Sequence, residues 1–179
     1  MDHLQAWIDA LLAATAADEQ LIGYLRSTAL SQWIVNSAWA WPVAETLHFV
    51  GLALLIGIVA PLDVRLMGFM RGVSISSLKQ LIPWAVVGFV LNLITGVLFF
   101  IGTPQQYVGN ASWWLKLLFL VIAALNMAWF EASHQSRARA LSAGADTPVA
   151  FKLIGAVSLS SWLMVLYWGR MLPFAGNAF

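Results

Sequence analysis

Two ionisable residues, Glu45 and His48, stand three apart inside the apolar run Trp41–Ala60. Residues three apart share a helix face. Ionisable groups within a membrane span are costly and point to function by default. A neutral imidazole at that depth can ligate a metal or haem iron, or it can carry a proton. Gly51 follows His48 by a further three residues, and a glycine there would let a flat ligand approach the backbone.

The same spacing recurs as Glu131-Ala-Ser-His134. E-x-x-H pairs on two helices are the ligand pattern of di-iron carboxylate bundles. The two bridging glutamates of that pattern are missing. The element order also puts His48 and His134 at opposite ends of parallel spans, so one shared site is not expected. His134 reads as a solvated interfacial residue beside Arg137 and Arg139.

The elements that must position these residues follow from composition. The chain has 179 residues, 61% of them hydrophobic and only 9% charged. A soluble domain carries about 25% charged residues, so this is the composition of an integral membrane protein. A net charge of +1 offers no basic field for nucleic acid. With no cysteine, disulfides, thiolate metal sites and iron–sulfur clusters are excluded. The N-terminus lacks the basic n-region of a usual signal peptide.

Four stretches near the roughly 20 residues needed to cross a bilayer predict an all-α, antiparallel four-span bundle over residues 42–179. They are Pro42–Leu66, Leu81–Gly102, Trp113–Glu131 and Ala150–Met171. Pro42 suits a first turn, and Pro61 would kink the far end of the first span. Residues 1–41 form a preceding interfacial segment. Leu4, Trp7, Ile8, Leu11 and Leu12 predict an amphipathic helix over 2–16, and Trp33, Trp39 and Trp41 mark a membrane interface. No internal repeat or second domain is apparent.

Basic residues set the topology. Arg65, Arg71 and Lys79 fall at or in the first connection, and Arg137, Arg139 and Lys152 around the third. Both are assigned to the cytoplasm. Both termini are then periplasmic, given a Gram-negative host and its inner membrane. Asp63 and Arg65, beside Pro61, are read as a local pair at the cytoplasmic face. Gly88, Asn92 and Gly96 form a small-residue stripe on the second span, as do Gly155, Ser158, Ser161 and Trp162 on the fourth. Such stripes allow close helix contact, with Asn92 bonding across it, or form a groove for a flat cofactor or quinone ring. Asn126 and Ser160 are read as interhelical hydrogen-bonders.

Alternating direction gathers Glu45, His48, Thr95, Gly96 and Lys116 at the outer end of the bundle. Met164, Tyr167, Trp168, Arg170 and Met171 join them there. One reading makes His48 an axial ligand of a b-type haem, with Lys116 and Arg170 balancing the propionates. Glu45 would orient His48 or pair with Lys116, and Tyr167 and Trp168 would pack on the macrocycle edge. The second axial position would fall to Met164 or Met171, or stay open. Copper held by His48 with Met164 or Met171 is a variant, since thioether and imidazole suit Cu(I). The competing reading is a satisfied polar cluster near the headgroups, with no cofactor.

The string Trp41-Pro-x-x-Glu-Thr-Leu-His48-x-x-Gly51, followed by Asp63-x-Arg65-Leu-Met-Gly68, resembles a family of small bacterial membrane proteins without an assigned activity. More distantly the chain is similar to the cytochrome b561 and copper-resistance membrane bundles. Those bind haem through several histidines on different spans, whereas here only His48 lies inside one. A ligand from a neighbouring copy would be needed for bis-histidine ligation.

Three functions are therefore expected to compete. The first is haem-based electron transfer between quinone and a periplasmic redox protein. The second is a cofactor-free accessory or scaffold subunit, in a homo-oligomer or larger membrane complex. The third is an oligomeric transporter or channel for a small solute or protons.

Overall fold

The computed structural model describes residues 18–141 and 144–175. The predicted amphipathic helix over 2–16 lies outside them. All regular elements among the described residues are helical. Residues 18–27 belong to helix α1, followed by α2 (Ala29–Asn36), α3 (Ala40–Leu66), α4 (Ile75–Lys79), α5 (Ile82–Gly102), α6 (Ala111–Ala140) and α7 (Val149–Ala175). Four helices are long and apolar enough to cross a membrane, namely α3, α5 (continuous with the short α4), α6 and α7. That is the mark of a multi-pass membrane protein.

Local sequence explains where these helices begin. Pro42 lies in the first turn of α3 and Pro83 in that of α5, where the missing N–H is no loss. Asn110 caps α6 by accepting from the Ser112 N–H at 2.9 Å. Its amide also donates to the Leu172 carbonyl at 3.0 Å, tying the start of α6 to the end of α7. Helix α3 continues through Pro61 to Leu66. Gly68, just beyond it, takes the left-handed φ of +97° that favours glycine after a helix C-terminus.

Two expected boundaries move. The third span does not stop at Glu131 but runs on to Ala140, because nothing in Ala-Ser-His-Gln-Ser-Arg-Ala-Arg-Ala breaks a helix. Leaving hydrocarbon does not end a helix; only a breaker or a cap does. The connection after the first span also contains a helical turn, α4, capped by the Ser74 hydroxyl on the Ser77 N–H at 3.0 Å.

The bundle is built from two helix pairs, α3 with α5 and α6 with α7, joined along α3 and α7. Glycines make the closest approaches. A Cβ on Gly51 would lie 2.7 Å from the Gly88 carbonyl oxygen, and one on Gly155 would lie 2.6 Å from the Asp63 carbonyl oxygen. Gly155, Ser158 and Ser161 are all buried, so the stripe on α7 is a packing face. On α5 the stripe is used only in part. Gly88 is buried in the crossing, Gly96 has open space around it, and the Asn92 amide donates to Gly88 of its own helix. Asn126 does bond between helices, to the Ile154 carbonyl at 3.1 Å, but Ser160 is exposed. Helices α5 and α6 barely touch, and the bundle is open between them. Trp33, Trp39, Trp84, Trp114 and Trp129 are exposed, as interfacial anchors are.

Candidate functional site

His48 projects from α3 toward α5, and its Nδ1 lies 2.7 Å from the Thr95 Oγ1. Thr95 is only 2% exposed. Its hydroxyl also lies 2.7 Å from the Leu91 carbonyl oxygen, one turn back on α5. A threonine hydroxyl has one proton, and the carbonyl can only accept. Thr95 therefore donates to Leu91 and accepts from His48, which makes His48 the Nδ1–H tautomer. Nε2 keeps its lone pair, and no hydrogen bond from a described residue reaches it. An imidazole held at one nitrogen and free at the other is oriented as a ligand.

An aromatic wall flanks the ring. Phe99 of α5 lies 5.4 Å from the imidazole and 5.1 Å from Trp41, centroid to centroid. The Trp41 indole donates to Glu45 at 3.1 Å. Glu45 is exposed and makes no ion pair with a described residue, so neither His48 nor Lys116 is its partner. An apolar groove of about 300 Å³ runs along the same side, lined by Ala44 and Leu47 of α3, Thr95 and Phe99 of α5, and Trp33 of α2.

Lys116 of α6 reaches across to α7. A Cβ on Gly169 would sit 3.6 Å from its Nζ. Arg170 is exposed and stacks over Phe174 at 5.2 Å. The Trp168 Nε1 is buried without a hydrogen-bond partner. Tyr167 lies against Trp168, with ring centroids 5.0 Å apart. Met164 and Tyr167 are exposed, and Met171 is half-buried. Gly51 is occupied by the α5 crossing and does not offer an open face. Among the described residues, no group of three or more His, Asp or Glu side chains could hold a metal ion.

The opposite end of the bundle departs further from expectation. Asp63 and Arg65 do not pair. Two positions apart on a helix, they diverge by about 200°. Arg65 is fully buried and donates from Nε to the Val73 carbonyl at 2.7 Å and from Nη2 to the Ala145 carbonyl at 3.1 Å. Asp63 is 3% exposed, and its Oδ2 has no partner. His134 is half-buried rather than fully solvated. Its ring sits among Trp129, Phe130 and Phe151 at 5.3, 6.5 and 5.6 Å, with Nδ1 buried. Glu131 pairs with Lys79 of α4 at 2.6 Å and accepts from Gln135 at 2.5 Å.

Thr95 is the participant that side-chain chemistry alone does not single out. Its signal is positional: it is the one hydroxyl of α5, at the level of His48. Compared with known protein families, with curated proteins and with solved structures, the chain matches none.

Proposed function

We propose that this protein binds a b-type haem in the membrane and carries electrons, with the His48 Nε2 as an axial ligand. The carrying observation is the His48–Thr95–Leu91 hydrogen-bond chain, which leaves Nε2 as the unprotonated nitrogen. Further support comes from the apolar groove along α2, α3 and α5, which Thr95 lines. The unpartnered indole N–H of Trp168, with Lys116 and Arg170 at the same end, suits the carboxylates of such a group. Bound haem supplies one-electron chemistry; the protein supplies orientation and an apolar surround. In this reading the His48 end faces the periplasm of a bacterial inner membrane. Electrons pass there between quinone and a soluble redox protein. A second copy of the chain would be a source for a further ligand.

The test is an absorption spectrum of protein purified from haem-replete cells. The expected result is a Soret band that His48→Ala removes while the helical signal and detergent-solubilised monodispersity persist. Absence of the band in wild-type protein overturns the proposal. Co-purification of that band-free protein with a membrane partner would favour the accessory-subunit reading.

A further inference from the structure

A cavity of about 200 Å³ lies at the Arg65 end of the bundle, where α5 and α6 stand apart. It is separate from His48 and does not depend on the haem reading. Its walls are apolar and partly aromatic, with Phe89, Phe130 and Trp162 among them. A cavity of about 150 Å³ suffices for one benzene ring. Val86 of α5 and Met127 of α6 line it and are also 50% and 43% exposed. The cavity therefore opens between these two helices toward the surface that would face lipid.

One polar feature of this cavity has no structural use. Asn126 is spent on the Ile154 carbonyl, and Glu131 on Lys79 and Gln135. Asp63 is different: it lines the cavity and is 97% buried, with Ser158 beside its carboxyl and Oδ2 left without a partner. Buried polar groups are nearly always satisfied, and one that is not calls for an explanation. A carboxyl oxygen accepts a hydrogen bond whether or not the group is ionised. What is missing is a hydrogen-bond partner arriving from within the cavity, and a hydroxyl can serve the carboxyl oxygen in either protonation state.

We infer that this cavity is a binding site for a lipid-soluble, ring-sized molecule bearing a hydroxyl group, with the hydroxyl donating to the Asp63 Oδ2. The aromatic walls and the volume select the ring. The gap between α5 and α6 provides entry from the bilayer. A molecule of the same shape without the hydroxyl would leave Oδ2 unsatisfied, a loss of about tenfold or more in affinity.

Two probes differing only in the donor test this: 4-propylphenol and its methyl ether, 4-propylanisole. Saturable binding to the whole protein in lipid nanodiscs is read by ligand-observed NMR. Wild-type protein is expected to bind the phenol at least about tenfold more tightly than the ether. Asp63→Leu should bring the two to parity while raising Tm, because it removes a buried carboxyl oxygen, Oδ2, that has no partner. Ala123→Phe, which fills the cavity from α6, should abolish both; Ala124→Leu serves should that variant fail to fold. No saturable phenol binding overturns the inference. So does an unchanged phenol preference in Asp63→Leu, or a fall in its Tm, which would make Asp63 a structural group. Tighter binding of 4-propylbenzylamine than of the phenol would overturn the hydroxyl assignment in favour of a cation.

Discussion

Gly51 of α3 and Gly88 of α5 meet backbone to backbone. A Cβ on the first would fall 2.7 Å from the carbonyl oxygen of the second, and a Cβ on the second would fall 2.6 Å from that of the first. No side chain fits there, so these two positions set the separation of α3 and α5. His48 is about one turn from the crossing and Thr95 about two turns. The 2.7 Å bond between them depends on that spacing.

Gly88→Val should force the helices apart and cost about 1–3 kcal/mol, the usual range for overpacking. Reversible unfolding in detergent would measure it. Gly57→Ala is the matched control, because a Cβ at Gly57 meets nothing within 4 Å. It should be neutral or stabilise by up to about 1 kcal/mol through helix propensity. Equal losses from both substitutions would refute the crossing.

Thr95→Val keeps the volume of the side chain and removes the hydroxyl. The His48 Nδ1–H then loses its acceptor and the fixed tautomer with it. Nitrogen-15 spectra of the imidazole should show a single Nδ1–H form in the wild type and a mixture in the variant. If haem is bound, the substitution should weaken it by about 10–100-fold, as loss of a partner to a ligating histidine typically does. An Nε2–H tautomer in the wild type would contradict the hydrogen-bond assignment.

Arg65 acts as a rivet for the connections. From the last turn of α3 it bonds the Val73 carbonyl before α4 and the Ala145 carbonyl between α6 and α7. Its positive charge also suits a helix C-terminus. Arg65→Ala should lose two charge-assisted hydrogen bonds, about 3 kcal/mol or more in total. Arg65→Lys should recover little of this, since an ammonium cannot span both carbonyls as the planar fork does. Full recovery by lysine in thermal unfolding would show that charge alone matters.

The apolar runs made the four long helices and their order legible, because each must satisfy its backbone internally if it crosses a bilayer. The small-residue stripes marked α7 as a packing face. What could not be read was pairing between helices. Asp63 and Arg65 look like partners in the string, yet the helix sends them to different surroundings. One finds carbonyls and the other a cavity. His134 looked solvated beside two arginines, but α6 continues through it and turns its ring toward Phe130 and Phe151. The His48–Thr95 contact spans 47 positions, and no local pattern encodes a contact that arises only when two glycines bring the helices together.

At the Arg65 end, Asp146 joins the α6–α7 connection to two cations, Lys152 and Arg71, each at 3.2 Å. The hydrogen bond from Lys152, the Thr147 N–H and the nearby Arg71 hold its carboxyl below the ordinary value of 3.8. A carboxyl lowered in the folded state stabilises the fold above its unfolded value. That contribution is lost as the pH falls through the lowered one. Stability should therefore be flat above about pH 5 and decline toward pH 3 in part through this group. Asp146→Asn should make that acid-side decline shallower without changing behaviour near pH 7 beyond a small loss. The group is exposed, so added salt should shrink the difference between the two proteins. Urea unfolding at a series of pH values, with and without 0.5 M salt, measures both effects. Parallel curves for the two proteins from pH 7 to pH 3 would mean that this ion-pair cluster does not form in solution.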